Sequence, residues 1–453
     1  MGDDPNAADT DSPTEAPAAQ PDPESILRSR SYVALLVLGA LIGMPVATVA
    51  YFFLAFVSKA QTWVFTTAPE SLGFASAPTW WPVVPLVLCG LIVGLSLTYL
   101  RGTGGHEPAY GFHAGGATDP LDLPGVFVAS LATLCLGAVL GPEAPLIAIG
   151  SGLGALAVKL IKRDAPAQAT MVIAAAGSFA AIATLLGSPI TGAFLLMEAT
   201  GLGGALLGVI LVPGLLAAGI GALIFVGLDN WTGLGAFALA VPNLPEAGVP
   251  TVTEFLWAIL IGVVAALLGA AISWGGRTLQ PTVAAHRVLL TPALGLAVAL
   301  AAIAFSVLTD KDASYVLFSG QDALPKLVDD AASWSVGALV LLVVCKGLAY
   351  SLSLSGFRGG PVFPGMFIGA ALGLMLSNLP GLSLIGGVGI GIGAMTVAML
   401  GLPLVSVLLP SLLLASDAIE LMPLIIVGVV TSYVVSAHLK PAPAPAESGS
   451  GTG

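Results

Sequence analysis

The sequence predicts an all-α protein that crosses a membrane many times and is built from two related halves. Three observations predict it. The 453 residues are 57% hydrophobic and only 9% charged, with a mean hydropathy of +0.99, a combination foreign to soluble domains of this size. Glycine (57) and proline (33) are abundant. Helix breakers in such a chain are tolerated where protein or a water-filled cavity satisfies the freed backbone, which favours a channel or transporter over a simple bundle. Finally, Gly141-Pro142-Glu143-Ala144-Pro145 is echoed by Gly360-Pro361-Val362-Phe363-Pro364.

Read in order, the chain opens on an acidic segment, 1–27. Its carboxylates Asp3, Asp4, Asp9, Asp11, Glu15, Asp22 and Glu24 precede the first basic residue, Arg28. With its proline and alanine content this segment reads as a disordered tail, as does 439–453. The net charge of −11 is therefore mostly a property of the tail. The first apolar run, 31–57, is too long for the core of a signal peptide. Arg28 and Arg30 just before it favour a cytoplasmic N-terminus. Later apolar runs alternate with Gly/Pro breaks, and a polar stretch interrupts them at 310–329. Several runs fall short of the roughly 20 residues a span needs and read as half-helices. Cys89, Cys135 and Cys345 lie far apart in apolar runs, a pattern of buried small hydrophobes. No basic stripe suits a nucleic acid. The four histidines show neither an HExxH pattern nor a spacing that pairs them with a nucleophile, so no metal site and no cofactor is expected.

The echo carries the functional argument. Proline suits the first turn of a helix, where its missing N–H costs nothing. Each motif thus reads as a helix start inside the membrane, presenting free N–H groups and a positive dipole end to an anion. The register continues: glycines follow at Gly150 and Gly154 after the first motif, and at Gly369 and Gly373 after the second. Gly187-Ser188-Pro189 is matched by Gly401-Leu402-Pro403. Two such blocks in the same order divide the chain into a first repeat, 28–227, and a second, 228–438. The direction of the second repeat relative to the first is open at this point. Helix starts in matched halves point to a substrate site near the bilayer midplane.

These residues resemble the CLC family of chloride channels and proton-coupled chloride exchangers. The family's Gly-Arg-Glu-Gly-Pro is similar to Gly141–Pro145, its Gly-x-Phe-x-Pro to Gly360–Pro364, and its helix ending in a Glu pair to Pro189–Ala199. The resemblance implies an inverted-repeat helical fold with many tilted and half-spanning helices. It implies a homodimer with one pore per subunit in a bacterial inner (plasma) membrane, with both termini cytoplasmic. Glu143 would be the gating glutamate, occupying an anion position and swinging away on protonation. The anion-binding positions would be Gly105, His106, Gly141, Ala144, Val362 and Phe363. The sequence also departs from the family. Its Gly-Ser-Gly-Ile-Pro falls at Gly104-Gly105-His106-Glu107-Pro108, without the serine. The gate arginine is Pro142, and the internal proton glutamate falls at Ala199. The region Ser416-Asp417-Ala418-Ile419 lacks the anion-binding tyrosine, and no regulatory domain follows residue 440.

Several residues admit two readings. Glu143 is an intramembrane carboxylate, functional by default, against a first-turn glutamate that merely complements its dipole. His106 and Glu107 are either a titratable pair lining an inner vestibule or a solvated loop before a short helix. Glu198, with His106 and Glu107, is a candidate proton relay, against a purely structural role. Asp417 and Glu420 read as face charges. Lys346 and Arg358 flank the second half-helix, and Arg358 either concentrates anions at a pore mouth or snorkels. The function expected is passage of a chloride-like anion through a pore gated by Glu143, as a channel or as an exchanger with protons. The alternatives are a transporter of a different small anion and, more remotely, an intramembrane enzyme.

Overall fold

A computed structural model describes residues 28–112, 114, 116–201, 205–234, 248–414 and 418–439. The expectations for the segments 1–27 and 440–453 and for Asp417 lie outside the described residues. Fifteen α-helices of seven residues or more account for most of the described chain. In the first half they are α1 (Arg30–Thr62), α2 (Val83–Tyr99), α3 (Leu123–Cys135), α4 (Glu143–Ile161), α5 (Ala167–Leu186), α6 (Pro189–Thr200) and α7 (Ala205–Thr232). The second half holds α8 (Val252–Ala285), α9 (Arg287–Thr309), α10 (Ala323–Asp329), α11 (Val336–Gly356), α12 (Val362–Leu376), α13 (Leu384–Leu400), α14 (Pro403–Leu414) and α15 (Ala418–Leu439). Eight helical segments are long and apolar enough to cross a bilayer. The others include α12, α13 and α14, too short for a full span.

The repeat is visible as packing. Gly150 on α4 meets Gly177 on α5 backbone to backbone, and Gly369 on α12 meets Gly391 on α13 in the same way. A Cβ at any of these four would fall on the facing carbonyl. Without a hydrophobic drive between helices in lipid, such small-residue contacts are what let two helices close. Both second helices end on a glycine in the left-handed conformation, Gly187 (φ 63°) and Gly401 (φ 70°), before a proline opens the next helix.

Contacts also fix directions. The Trp81 indole donates to the carbonyl of Val64, joining the end of the α1 segment to the start of α2. Arg287, at the start of α9, donates to the carbonyl of Leu97 near the end of α2. The C-terminal end of α8 therefore lies on the face from which α1 starts. Gly386 lies against both Glu254 and Leu424, while Gly262 lies against Gly428 and Thr431, so α15 runs parallel to α8 and ends on that same face. We refer to it as the terminal face. Helix α4 ends there too, where Lys159 pairs with Asp119 at 3.4 Å. Helix α12 ends at the far face, beside Pro380, whose carbonyl accepts the indole N–H of Trp257 near the start of α8. The two half-helices thus start together and run apart, so the repeats are inverted.

Candidate functional site

Two straps of irregular backbone meet where α4 and α12 begin. Gly141 and Gly360 form an antiparallel bridge, each N–H donating to the other's carbonyl at 2.7 and 2.6 Å. Further bonds anchor the straps. The Val139 N–H donates to Ser353 Oγ (3.0 Å) and the Arg358 N–H to Thr133 Oγ1 (3.3 Å). The Tyr350 hydroxyl donates to the carbonyl of Pro361 (2.9 Å). Irregular backbone at membrane depth is permitted because protein groups satisfy it.

Glu143 is the first residue of α4 and has no exposed surface. Its side chain crosses to the facing repeat. Oε1 accepts the N–H of Phe363 at 2.9 Å, and the amides of Val362 and of Glu143 itself face the carboxyl group. Its other oxygen, Oε2, is buried without a hydrogen-bond partner. A carboxylate therefore occupies the N-terminus of α12, a position whose free amides and dipole favour an anion. Glycine is required on both sides. A Cβ at Gly141 or at Gly360 would fall on the Glu143 carboxyl group. On the far face, a cavity of about 330 Å³ reaches down to Leu140 and Pro142, past Gln61, Phe318 and Gln321.

The structure brings Gly141, Glu143, Val362 and Phe363 together, with Ala144 half-buried in the first turn of α4. Gly105 and His106 stand in a separate loop. Gly105 has φ 92°, and His106 Nε2 lies 2.6 Å from the carbonyl of Gly111. Arg358 links this loop to the straps. It is only 4% exposed, and its Nε donates to the carbonyl of Thr103 (2.9 Å) while Nη2 meets Glu107 Oε1 at 3.1 Å. Glu198 accepts the N–H groups of Leu404 and Val405, both at 2.9 Å, so a first-repeat carboxylate caps a second-repeat helix.

Two arrangements escaped sequence reasoning. Neither Arg358 nor Lys346 snorkels. Lys346 is fully buried; its ammonium lies 3.0–3.3 Å from the carbonyls of Tyr315, Val316, Leu317 and Phe318, and 4.4 Å from the Phe367 ring centroid. The available signal was a lone cation inside an otherwise apolar run. For Arg358 and Glu107, 251 residues apart, one sequence offers no signal of pairing.

A family model described as voltage gated chloride channel (CLC) matches residues 111–437. The chain belongs to the CLC family. Among curated relatives, the YfeO protein of Escherichia fergusonii, whose name describes ion transport, is 29% identical over 353 residues. That match covers 77% of this chain and 80% of the relative. YfeO of Escherichia coli is 28% identical over the same length. Among solved structures, this CLC chain resembles a slow cyanobacterial Cl⁻/H⁺ antiporter with a TM-score of 0.73 at 18% identity, covering 90% of this chain and 95% of that one. A CLC-type fluoride/proton antiporter gives 0.67 at 21% identity, covering 90% and 96%. These likenesses establish the CLC fold.

Proposed function

We propose that this CLC protein passes a small inorganic anion, chloride or a similar ion, through a pore gated by Glu143. The observation that carries the reading is the Glu143 carboxylate seated on the N-terminus of α12. A side-chain anion there competes with a free one. Ionised, it satisfies the helix end; protonated, it loses that attraction, and the anion takes its place. Gly141, Ala144, Val362 and Phe363 supply the surrounding backbone, and Gly105 and His106 line the approach from the terminal face. Family membership places the chain among membrane transport proteins rather than enzymes. The solved relatives include a chloride/proton and a fluoride/proton antiporter, so protons are the natural coupling partner, with His106, Glu107 and Glu198 as relay candidates. The protein acts as a homodimer in the bacterial inner membrane, with its termini cytoplasmic and its two repeats at 28–227 and 228–438.

Purified protein in liposomes, under an anion gradient and with a pH probe, tests this. Flux rises as pH falls, because protonation neutralises the competitor. In Glu143→Ala the flux loses its pH dependence. Uphill proton movement driven by the anion identifies an exchanger, and its absence a channel. A wild-type protein without anion flux overturns the reading.

A further inference from the structure

A second carboxylate in this molecule is held as a bound anion would be held. Glu107 Oε1 lies 3.1 Å from Arg358 Nη2 and 3.9 Å from Arg287 Nη2, and its Oε2 accepts the Gln280 amide at 2.8 Å. The three donors are positioned by other groups. Arg358 is fixed by the carbonyls of Thr103 (2.9 Å) and Phe357 (3.2 Å), Arg287 by that of Leu97 (3.0 Å), and the Gln280 amide by the Tyr110 hydroxyl (2.8 Å). Their geometry is therefore set independently of the carboxylate they hold. Two guanidiniums against one carboxylate leave a local charge of +1.

The place suits a passing ion. Arg358 lies two residues before Gly360 of the bridge, and its stem packs on Gly104, beside the position where the expected serine is missing. The Glu107 side chain is 27% exposed, so one side of the cradle is open. Arg287 also lines an open hollow of about 420 Å³ at the terminal face, together with Leu97 and His286. Guanidinium and amide donors in a partly desolvated setting bind anions well.

We propose that Arg358, Arg287 and Gln280 form a side-chain anion station on the terminal-face side of the gate, occupied at rest by Glu107. A small inorganic anion takes the place of the carboxylate when Glu107 swings out. The proposal rests on the reading of the chain as an anion transporter, and it replaces the lost serine hydroxyl with fixed charge.

The test is equilibrium binding of radiolabelled chloride to the purified full-length protein, wild type against Glu107→Gln, with melting temperature followed in chloride and in gluconate. E107Q binds one chloride per chain more than wild type, and its melting temperature rises with chloride by several degrees beyond any rise in wild type. The added Arg358→Gln substitution removes the extra chloride. A folded E107Q with unchanged stoichiometry overturns the proposal. If E107Q folds only when chloride is abundant and not in gluconate, the anion is replacing the carboxylate, and the proposal stands. If it folds in neither, Glu107 is a structural ion-pair partner and the proposal falls. Wild-type flux tests the transport reading separately, so the two failures are distinguishable.

Discussion

Three of the buried charged residues among the described ones are held in three different ways. Glu143 sits on amides, Arg358 on a carboxylate and carbonyls, and Lys346 on carbonyls and a ring face. For Lys346 the four carbonyls belong to one loop, Tyr315–Phe318, which borders the far-face cavity. Replacing lysine by methionine keeps much of the volume and removes every donor. Relief of the buried charge offsets part of the loss, but carbonyls left dry cost about 1–3 kcal/mol each. Lys346→Met is therefore destabilised by roughly 2 kcal/mol net, seen as a lower melting temperature and faster proteolysis near Phe318. Glu198 makes a contrasting case. Its two amide bonds cap α14 from the other repeat, and Glu198→Ala loses about 1–2 kcal/mol as an N-cap deletion does, whereas Glu198→Gln keeps one acceptor and loses less. Parallel melting curves of the two variants check this.

At the scale of elements, the half-helices explain what was legible beforehand. The paired motifs, the glycines in matching register and the Gly-x-Pro breaks are local patterns, so both helix starts were readable from spacing, while the backbone contacts those glycines make were not. Spacing does not carry the direction of the second repeat, because inversion leaves sequence order unchanged; contacts such as Trp257 to Pro380 and Lys159 to Asp119 reveal the inversion that the family resemblance implied. The missing serine and tyrosine were legible as absences, but the arginine beside the serine position was not, since its partner lies in another repeat. The bridge between the straps yields a prediction. A methyl group at Gly360 would occupy the place of the Glu143 carboxyl group, so Gly360→Ala pushes the competitor off the α12 end. If Glu143 is the gate, the variant, folded by its melting curve, passes anion severalfold faster than wild type at neutral pH and responds weakly to pH. An unaltered pH profile would mean that the carboxylate and the gate are different things.

At the scale of the molecule, inversion about the Gly141–Gly360 bridge places charged surface on both faces and the starts of α4 and α12 between them. In the proposed pore, an ion entering from the far face would meet the Gln61–Gln321 cavity first and Glu143 next; from the terminal face it would meet the arginines first. In the proposed orientation the terminal face is cytoplasmic. Arg28 and Arg30 stand at the start of α1, and Lys159, Lys162 and Arg163 lie at the end of α4 on the same face; cytoplasmic loops carry the excess of basic residues. The three native cysteines are buried, so introduced thiols report without background from the surface. Intact cells expressing His438→Cys or Ser31→Cys, both at exposed terminal-face positions, stay unlabelled by a membrane-impermeant maleimide. Ser76→Cys, exposed between α1 and α2 on the opposite face, is labelled. Permeabilised cells label all three. Labelling of His438→Cys in intact cells would turn the molecule over in the membrane, and would put the proposed arginine station on the outside and the Gln61–Gln321 cavity on the inside.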